Sequence, residues 1–197
     1  MPVVGVLALQ GDFTEHITVL RRLGVEPRQV RLPADLEGLD GLIIPGGEST
    51  TIGKLARDFN LIEPLKAFGA EKPIWGTCAG AIFLSKDATR AKQGQPLLGL
   101  MDITIQRNAF GRQVDSFEVG LDVPALADLD PDNPPFEAVF IRAPLIESVD
   151  APDVEVLARV DEAIVAARQG HLLATSFHPE LNEDDRFHQY FLSLLTG

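Results

Sequence analysis

The sequence PIWGTCAGAIFL at residues 73–84 joins an apolar strand directly to an apolar helix. We expect the strand over residues 73–76 and the helix from about Ala79. A short apolar run is typical of a strand that is covered on both faces, as in a parallel sheet. The residues upstream extend this pattern, with strands expected over 3–9, 25–30 and 41–45 and helices over 13–23, 49–59 and 61–68. Strands that alternate with helices indicate a mainly parallel sheet.

The first of these helices has clear ends in the sequence. Asp12 can cap its start and Gly24 can end it.

The second half of the chain is richer in strand signals. Strands are expected over 113–121, 136–141, 154–160, 163–168 and 172–177, followed by a helix over 184–195. Asp161 and Glu162 look like a tight hairpin, and residues 128–135 look like a surface turn. The prediction is a three-layer α/β domain with some antiparallel additions. Its site should lie beyond the carboxyl ends of the strands.

Composition limits the classes of function. The 197 residues suggest one domain, and the net charge of −12 disfavours nucleic acid and anionic lipid as partners. The single cysteine excludes an internal disulfide and a cysteine-based zinc site. The N-terminus lacks a basic targeting region, and no apolar stretch approaches the roughly 20 residues of a membrane span. We therefore expect a soluble, cytoplasmic protein with no membrane partner.

Cys78 is the first candidate for chemistry. A lone cysteine is often a small buried apolar residue. Here, however, Gly76 and Gly80 flank it at a strand-to-helix turn, which is the Gly-x-nucleophile-x-Gly pattern with cysteine as the nucleophile. The helix N-terminus would favour the thiolate, and the Ala79 N–H would point to where an oxyanion forms.

A thiolate nucleophile needs a proton donor for the leaving group. His178 ends an apolar strand, and Pro179 disfavours helical backbone at His178. In an extended chain His178 and Glu180 would share a face, so that Glu180 could orient the imidazole. The other histidines, His16, His171 and His188, are interpreted as surface or packing residues.

Two further segments could serve the same site. The glycines of PGGES at residues 45–49 let backbone N–H groups approach an oxyanion, although Ser49 could equally be a plain helix cap. Arg107 and Arg142 each follow a strand-like segment, and either could hold a substrate carboxylate. The sequence does not choose between them.

These segments together resemble the class I glutamine amidotransferases, through GTCAG at 76–80 and SFHPE at 176–180. Within that group the chain is similar to the PdxT/SNO family, the glutaminase subunits of pyridoxal 5′-phosphate synthase. The closer likeness rests on five motifs: GVLALQGDFTEH at 5–16, PGGESTT at 45–51, RNAFGRQVDSFE at 107–118, FIRAP at 140–144 and SFHPEL at 176–181. It spans about residues 3–195. The stretch 128–135 departs from it, being longer and more acidic than is usual there.

The resemblance implies a role for each matching residue. Cys78 would be the nucleophile, with His178 and Glu180 completing the triad, and Gly47 and Ala79 would form the oxyanion hole. The implied glutamine-binding residues are Gly47, Glu48, Ser49, Arg107, Ile141 and Arg142. Gln10 matches a position near the oxyanion loop and the partner interface. We expect the Gly46–Gly47 peptide to change orientation when the partner docks, with Gln10 holding it in the active state.

The resemblance also implies a three-layer flavodoxin-like sheet, mainly parallel with antiparallel additions, formed by one glutaminase domain over residues 1–197. L-glutamine would be hydrolysed to L-glutamate and ammonia. The ammonia would pass, within a hetero-oligomer, to a synthase subunit that makes pyridoxal 5′-phosphate. No metal or cofactor is expected, since pyridoxal phosphate is the product of the assembly. Two alternatives stay open: another thiol hydrolase on the same scaffold, and a non-catalytic flavodoxin-like binding module with Cys78 in its core.

Overall fold

The structure is a computed structural model that describes residues 1–110 and 116–197. Its first 84 residues alternate strand and helix, as the sequence predicts, with bounds that differ by up to three residues. The elements are β1 (Val3–Leu7), α1 (Phe13–Arg22), β2 (Glu26–Val30), β3 (Gly41–Ile44), α2 (Ser49–Asp58), α3 (Ile62–Glu71), β4 (Ile74–Thr77) and α4 (Ala79–Leu84).

The second half holds the predicted strands and three more. The elements are β5 (Ser85–Thr89), β6 (Met101–Gln106), β7 (Ser116–Leu121), β8 (Phe136–Ile141), β9 (Leu145–Val149), β10 (Val154–Val160), β11 (Ala163–Gln169), β12 (Leu172–Thr175) and α5 (Arg186–Ser193). The sequence analysis missed β5, β6 and β9. In β6 buried and half-buried residues alternate, so a period of two was present in the sequence. Residues 113–115 of the strand predicted over 113–121 lie outside the described residues.

The large sheet has a parallel half and a mainly antiparallel half, in which β5 and β6 pair in parallel. Its strand order is β2-β1-β3-β4-β12-β11-β9-β6-β5, and β10 pairs with β11. The pairs from β2 to β12 are parallel, whereas β11 is antiparallel to β12, β9 and β10. The hairpin of β10 and β11 turns at Asp161, whose φ is 50°, as the sequence predicts. The α/β fold class is confirmed, although the antiparallel half is more extensive than the additions that the sequence suggested.

Two apolar layers cover the parallel half of the sheet. One contains buried residues of α2, α3 and α4, such as Ile52, Leu65 and Phe83. The other contains buried residues of α1 and α5, such as Leu20 and Phe191. Because successive side chains of a strand point to opposite faces, Ile43 and Ile44 of β3 enter different layers.

The parallel pairing positions the site. Thr77 of β4 and Thr175 of β12 are partners in the register, and the Cys78 N–H donates to the Thr175 carbonyl oxygen at 2.8 Å. The residues that follow both strands are therefore neighbours, although about one hundred positions separate them in the chain. Within the ranges 1–110 and 116–197, no helix combines the length and apolar character needed to cross a bilayer.

Candidate active site

Cys78 lies at a strained turn between β4 and α4. Its φ and ψ are 50° and −109°, outside the ordinary regions for a residue with a side chain. A Cβ on Gly76 would come within 2.5 Å of the Gly80 carbonyl oxygen, and a Cβ on Gly80 would overlap the Ile44 carbonyl. Both flanking positions therefore require glycine, as the sequence pattern predicted. The cysteine is 7% exposed and borders a cavity.

His178 and Glu180 form a buried pair beside this turn. The His178 Nδ1 and Glu180 Oε1 atoms are 2.7 Å apart, and the backbone N–H of His178 donates to the Val139 carbonyl oxygen. The pair does not form in the extended chain that the sequence predicted. β12 ends at Thr175, and Pro179–Leu181 is a 3-10 turn rather than extended chain. Proline fixes φ near the helical value, which suits the start of such a turn.

The electrostatics of this pair favour a charged imidazole. Burial lowers the pKa of His178, but the adjacent Cys78 sulfur and the Glu180 carboxylate outweigh burial and raise that pKa above its usual range. Burial raises the pKa of Glu180, and the hydrogen bond to His178 partly offsets this. The arrangement suits a histidine that holds a proton next to a thiolate.

A cavity of about 440 Å³ opens at these residues. It collects ten of the eleven residues that the sequence analysis selected: Gln10, Gly47, Glu48, Ser49, Cys78, Ala79, Arg107, Ile141, Arg142 and His178. Glu180, the eleventh, does not line the cavity but contacts His178 from behind. A volume of this size suits a small-molecule ligand.

Glu48 is one of two carboxylate residues that line the cavity, the other being Asp12. Partial burial raises its pKa, but hydrogen bonds from Thr51 and Thr50 lower it to about 2. Glu48 also caps α2, so the alternative in which Ser49 is the cap is wrong: Ser49 is the first helical residue and accepts a hydrogen bond from Gln95. Glutamate reaches the free N–H groups of the first turn, which is the same task that a capping serine performs.

The two candidate arginines differ in their contacts. The Arg107 guanidinium lies 3.3 Å from Glu48 Oε1 and 3.2 Å from Gln95 Oε1. Arg142 lies after β8 with a φ of 42° and is exposed. Among the described residues its side chain has no hydrogen bond or ion pair. Gln95 was missed by the sequence analysis because it lies in an irregular segment with no motif around it.

The glycine loop after β3 is held by the segment after β1. The Asp12 N–H donates to the Gly46 carbonyl at 3.0 Å, and Gln10 Oε1 accepts from the Glu48 N–H at 2.7 Å. Gln10 thus binds the peptide that follows Gly47, one peptide later than the sequence analysis expected. A Cβ on Gly47 would lie 2.5 Å from Gln10 Oε1, so this close approach requires glycine.

Asp12 has a different role from the predicted one. It occupies the cap position of α1, but its side chain accepts no hydrogen bond from the helix. Its Oδ2 lies 3.5 Å from His178 Nδ1 instead. Asp12, His178 and Glu180 each offer one donor atom within 4.8 Å of the others, a spacing that is also compatible with a metal ion. His178 Nδ1 is already engaged with Glu180.

Two histidines near the site were interpreted as surface or packing residues, and they are fully buried. His16 Nε2 lies 3.4 Å from Glu180 Oε2, and His16 Nδ1 lies 2.9 Å from His188 Nε2. The sequence did carry a signal. Position 16 lies between Phe13 and Leu20 on the apolar stripe of α1. A histidine at this position is therefore expected to be buried.

The Gly46→Ala substitution tests how tightly the site is packed. A Cβ on Gly46 would lie 2.6 Å from His178 Cε1 and 3.3 Å from Cys78 Cβ. Since Glu180 holds the imidazole, we expect the ring to shift and any reaction that depends on the Cys78–His178 pair to slow by about 100-fold, as for a misplacement of about 1 Å. Gly24→Ala is the control, because its Cβ meets nothing within 4 Å while its φ of 72° still costs stability. An effect of Gly24→Ala on the rate as large as that of Gly46→Ala would contradict the packing argument.

Comparisons with known proteins find relatives over nearly the whole chain. Residues 6–196 match the family described as the SNO glutamine amidotransferase family. A relative from Herpetosiphon aurantiacus, named pyridoxal 5′-phosphate synthase subunit PdxT, is 61% identical over 194 residues, covering 97% of this chain and 99% of its own.

Solved structures also superpose on nearly the whole chain. One titled "Crystal structure of glutamine amidotransferase" superposes with a TM-score of 0.90 at 50% identity, covering 98% of this chain and 99% of that one. The structure of PurLQS from Thermotoga maritima superposes with a TM-score of 0.72 at 18% identity, covering 98% and 99%. The second likeness bears on the fold alone.

Proposed function

Because the chain belongs to the SNO glutamine amidotransferase family, we propose that it hydrolyses L-glutamine to L-glutamate and ammonia with Cys78 as the nucleophile. The observation that carries this proposal is that the strained Cys78 turn and His178 line one cavity, with Glu180 bonded to His178 from behind. A binding module would have no need to hold a cysteine at a φ of 50° on the cavity surface, since such strain is typical of functional sites. The reaction is that of a single domain over residues 1–197, in the cytoplasm.

The reaction proceeds in two steps. The Cys78 thiolate attacks the side-chain amide carbon of glutamine, and the His178 imidazolium gives its proton to the departing nitrogen. Ammonia leaves, and a glutamyl thioester remains on Cys78. His178, now neutral, takes a proton from water, whose oxygen attacks the thioester and releases glutamate. Glu180 stabilises the imidazolium and orients the ring throughout.

Backbone N–H groups stabilise the charge that forms on the amide oxygen. The Ala79 N–H begins α4 immediately after the nucleophile, which is where the elbow pattern places one donor. Gly47 supplies the second N–H from the loop after β3. Two such donors act on a charge that exists only in the transition state, and so they lower the barrier rather than tighten ground-state binding.

The remaining cavity residues recognise the amino-acid end of glutamine. Glu48, whose low pKa keeps it ionised, pairs with the α-ammonium group. Arg142, which has no ion pair among the described residues, holds the α-carboxylate, while Arg107 orients Glu48 through their contact. Ser49 and Ile141 complete the walls.

The ammonia is consumed by a pyridoxal 5′-phosphate synthase subunit bound to this chain. The Herpetosiphon aurantiacus relative is itself named a subunit of that synthase. Free ammonia is protonated in water and is then no longer a nucleophile, so coupling of the two subunits is chemically favourable. Docking would favour the active arrangement of the Gly46–Gly47 peptide by population shift.

Addition of the synthase subunit is expected to raise the rate of glutamine hydrolysis at a fixed concentration of this chain. The measurement is ammonia and glutamate release, with and without that subunit. Gln10→Ala should reduce the stimulated rate, because Gln10 supports the loop through the Glu48 N–H. Gln29→Ala, the same change at an exposed position of β2, is the matched control.

Three outcomes would count against these ideas separately. Equal rates with and without the synthase subunit would refute the coupling. A stimulated rate that is the same in Gln10→Ala and Gln29→Ala would refute only the role of Gln10. Absence of glutamine hydrolysis under both conditions would refute the proposed function.

A further inference from the structure

Behind the catalytic pair lies a second buried pair, His16 of α1 and His188 of α5. Both side chains are completely inaccessible to solvent. The His16 Nδ1 and His188 Nε2 atoms are 2.9 Å apart, and His16 Nε2 lies 3.4 Å from Glu180 Oε2. A row of buried polar side chains thus runs from His178 through Glu180 and His16 to His188 of α5.

The contacts assign a direction to the hydrogen bonds. His16 Nε2 faces two oxygens at 3.4 Å, Glu180 Oε2 and Thr77 Oγ1, so Nε2 is the nitrogen that carries the hydrogen. His16 Nδ1 is then an acceptor and receives the N–H of His188 Nε2. His188 Nδ1 has no partner among residues 1–110 and 116–197, which suits an unprotonated nitrogen.

The surroundings keep both rings neutral. Burial lowers the pKa of His188 to about 3, with Arg22 lowering and Asp185 raising it slightly. Burial also lowers the pKa of His16 well below its usual range, and the neighbouring His188 and His178 lower it further. Trp75 packs edge-on against both imidazoles. A neutral His16 can direct its Nε2–H at Glu180 Oε2, 3.4 Å away, without bringing a second cation to the site.

Glu180 needs such a donor. Its Oε1 is engaged by His178, but its Oε2 is buried and has no hydrogen bond of ordinary geometry from the described residues. A buried carboxylate oxygen without a donor favours the protonated form of the acid. A protonated Glu180 would no longer stabilise the imidazolium.

We propose that His16 is a positioning residue for the glutaminase reaction: its Nε2–H, oriented by His188, holds Glu180 ionised and directed at His178. This inference rests on the proposed function for its effect on turnover. His16 does not line the cavity and touches no substrate, so it acts only through Glu180.

The test compares His16→Gln with His16→Asn. The amide nitrogen of glutamine can reach the position of Nε2 and keep the donor, whereas that of asparagine is too short. We expect His16→Asn to lower kcat about tenfold, the lower end of what a hydrogen bond to a charged group contributes, because the 3.4 Å contact is long; KM should be unchanged. The acid limb of the rate profile should move up by about one pH unit, because Glu180 is then easier to protonate. His16→Gln should retain most of the wild-type kcat and most of the wild-type position of the acid limb.

A second measurement does not depend on glutamine turnover. The rate at which iodoacetamide alkylates Cys78, followed against pH, reports the thiolate–imidazolium pair directly. This profile should shift upward in His16→Asn and return in His16→Gln, and thermal melts would verify that each variant is folded. His16→Leu, of similar volume, replaces His16→Asn if the latter does not fold.

The outcomes separate the two proposals. Equal impairment in His16→Gln and His16→Asn would mean that only packing matters, and normal kcat and normal alkylation in His16→Asn would leave His16 without a role; either overturns the inference. A wild-type chain that hydrolyses no glutamine, with or without the synthase subunit, while its alkylation profile still distinguishes the two variants, would refute the proposed function and retain the effect of His16 on Glu180.

Discussion

Cys78→Ala is expected to abolish glutamine hydrolysis while leaving the fold intact. Removal of a catalytic nucleophile lowers turnover by a factor on the order of 10⁶ in a hydrolase with a comparable triad. The loss of stability should stay below about 1.5 kcal/mol, because the change in volume is small. Alanine carries a Cβ like cysteine, so the strain at a φ of 50° should be similar in the two proteins and should cancel. Ammonia release and a thermal melt, each performed on both proteins, are the measurements.

Covalent labelling gives the complementary test. Cys78 is the only cysteine, so a glutamine-analogue electrophile should add its mass to the wild-type chain at that residue and add none to Cys78→Ala. Unlabelled Cys78 would favour the binding module, in which the thiol is an inert core residue. Label uptake without ammonia release from glutamine would favour another thiol hydrolase on this scaffold.

His178→Asn should reduce turnover nearly as severely as loss of the nucleophile, since asparagine at that position can neither accept nor return a proton. Glu180→Gln should lower turnover by up to about 10⁴-fold. The amide NH₂ of the new glutamine would donate to His178 Nδ1 and impose the tautomer with hydrogen on His178 Nε2. That tautomer leaves no acceptor for the proton of Cys78. Single-turnover rates of the two variants, in the presence of the synthase subunit, provide the comparison.

Glutamine binding by the His178→Asn and Glu180→Gln variants distinguishes a loss of catalysis from a general loss of structure. Both variants keep the cavity residues Glu48, Arg107 and Arg142, so equilibrium binding of glutamine should survive. Weak binding in either variant would mean that the site had collapsed, and its rate would then carry no information on the triad. A Glu180→Gln variant with the wild-type rate would reduce the triad to a Cys78–His178 dyad.

Much of the site was visible in the sequence because it lies at the ends of strands. A strand that is covered on both faces must be apolar, so the first polar or glycine residues after it mark the place where the backbone leaves the sheet. That rule locates the loops that begin at Gly46 and Cys78, and His178 lies a few residues beyond β12. Local patterns also sufficed for β8, β10 and most helix bounds, because hydrophobic period and turn residues act over a few positions.

The tertiary structure decided what depends on contacts between distant segments. No local pattern states that β12 pairs with β4 and so brings His178 to Cys78, or that Gln10 accepts from the Glu48 N–H. The His16–His188 contact joins residues 172 positions apart.

The physical reason is the range of the forces involved. Propensity and amphipathic period are properties of a short segment, whereas a hydrogen bond between buried side chains exists only after the sheet has brought its partners together. Sequence alone could place His16 on the buried stripe of α1. Only the packing of α1 and α5 against β4 shows that its neighbours are His188, Trp75 and Glu180, and that burial among them keeps the ring neutral.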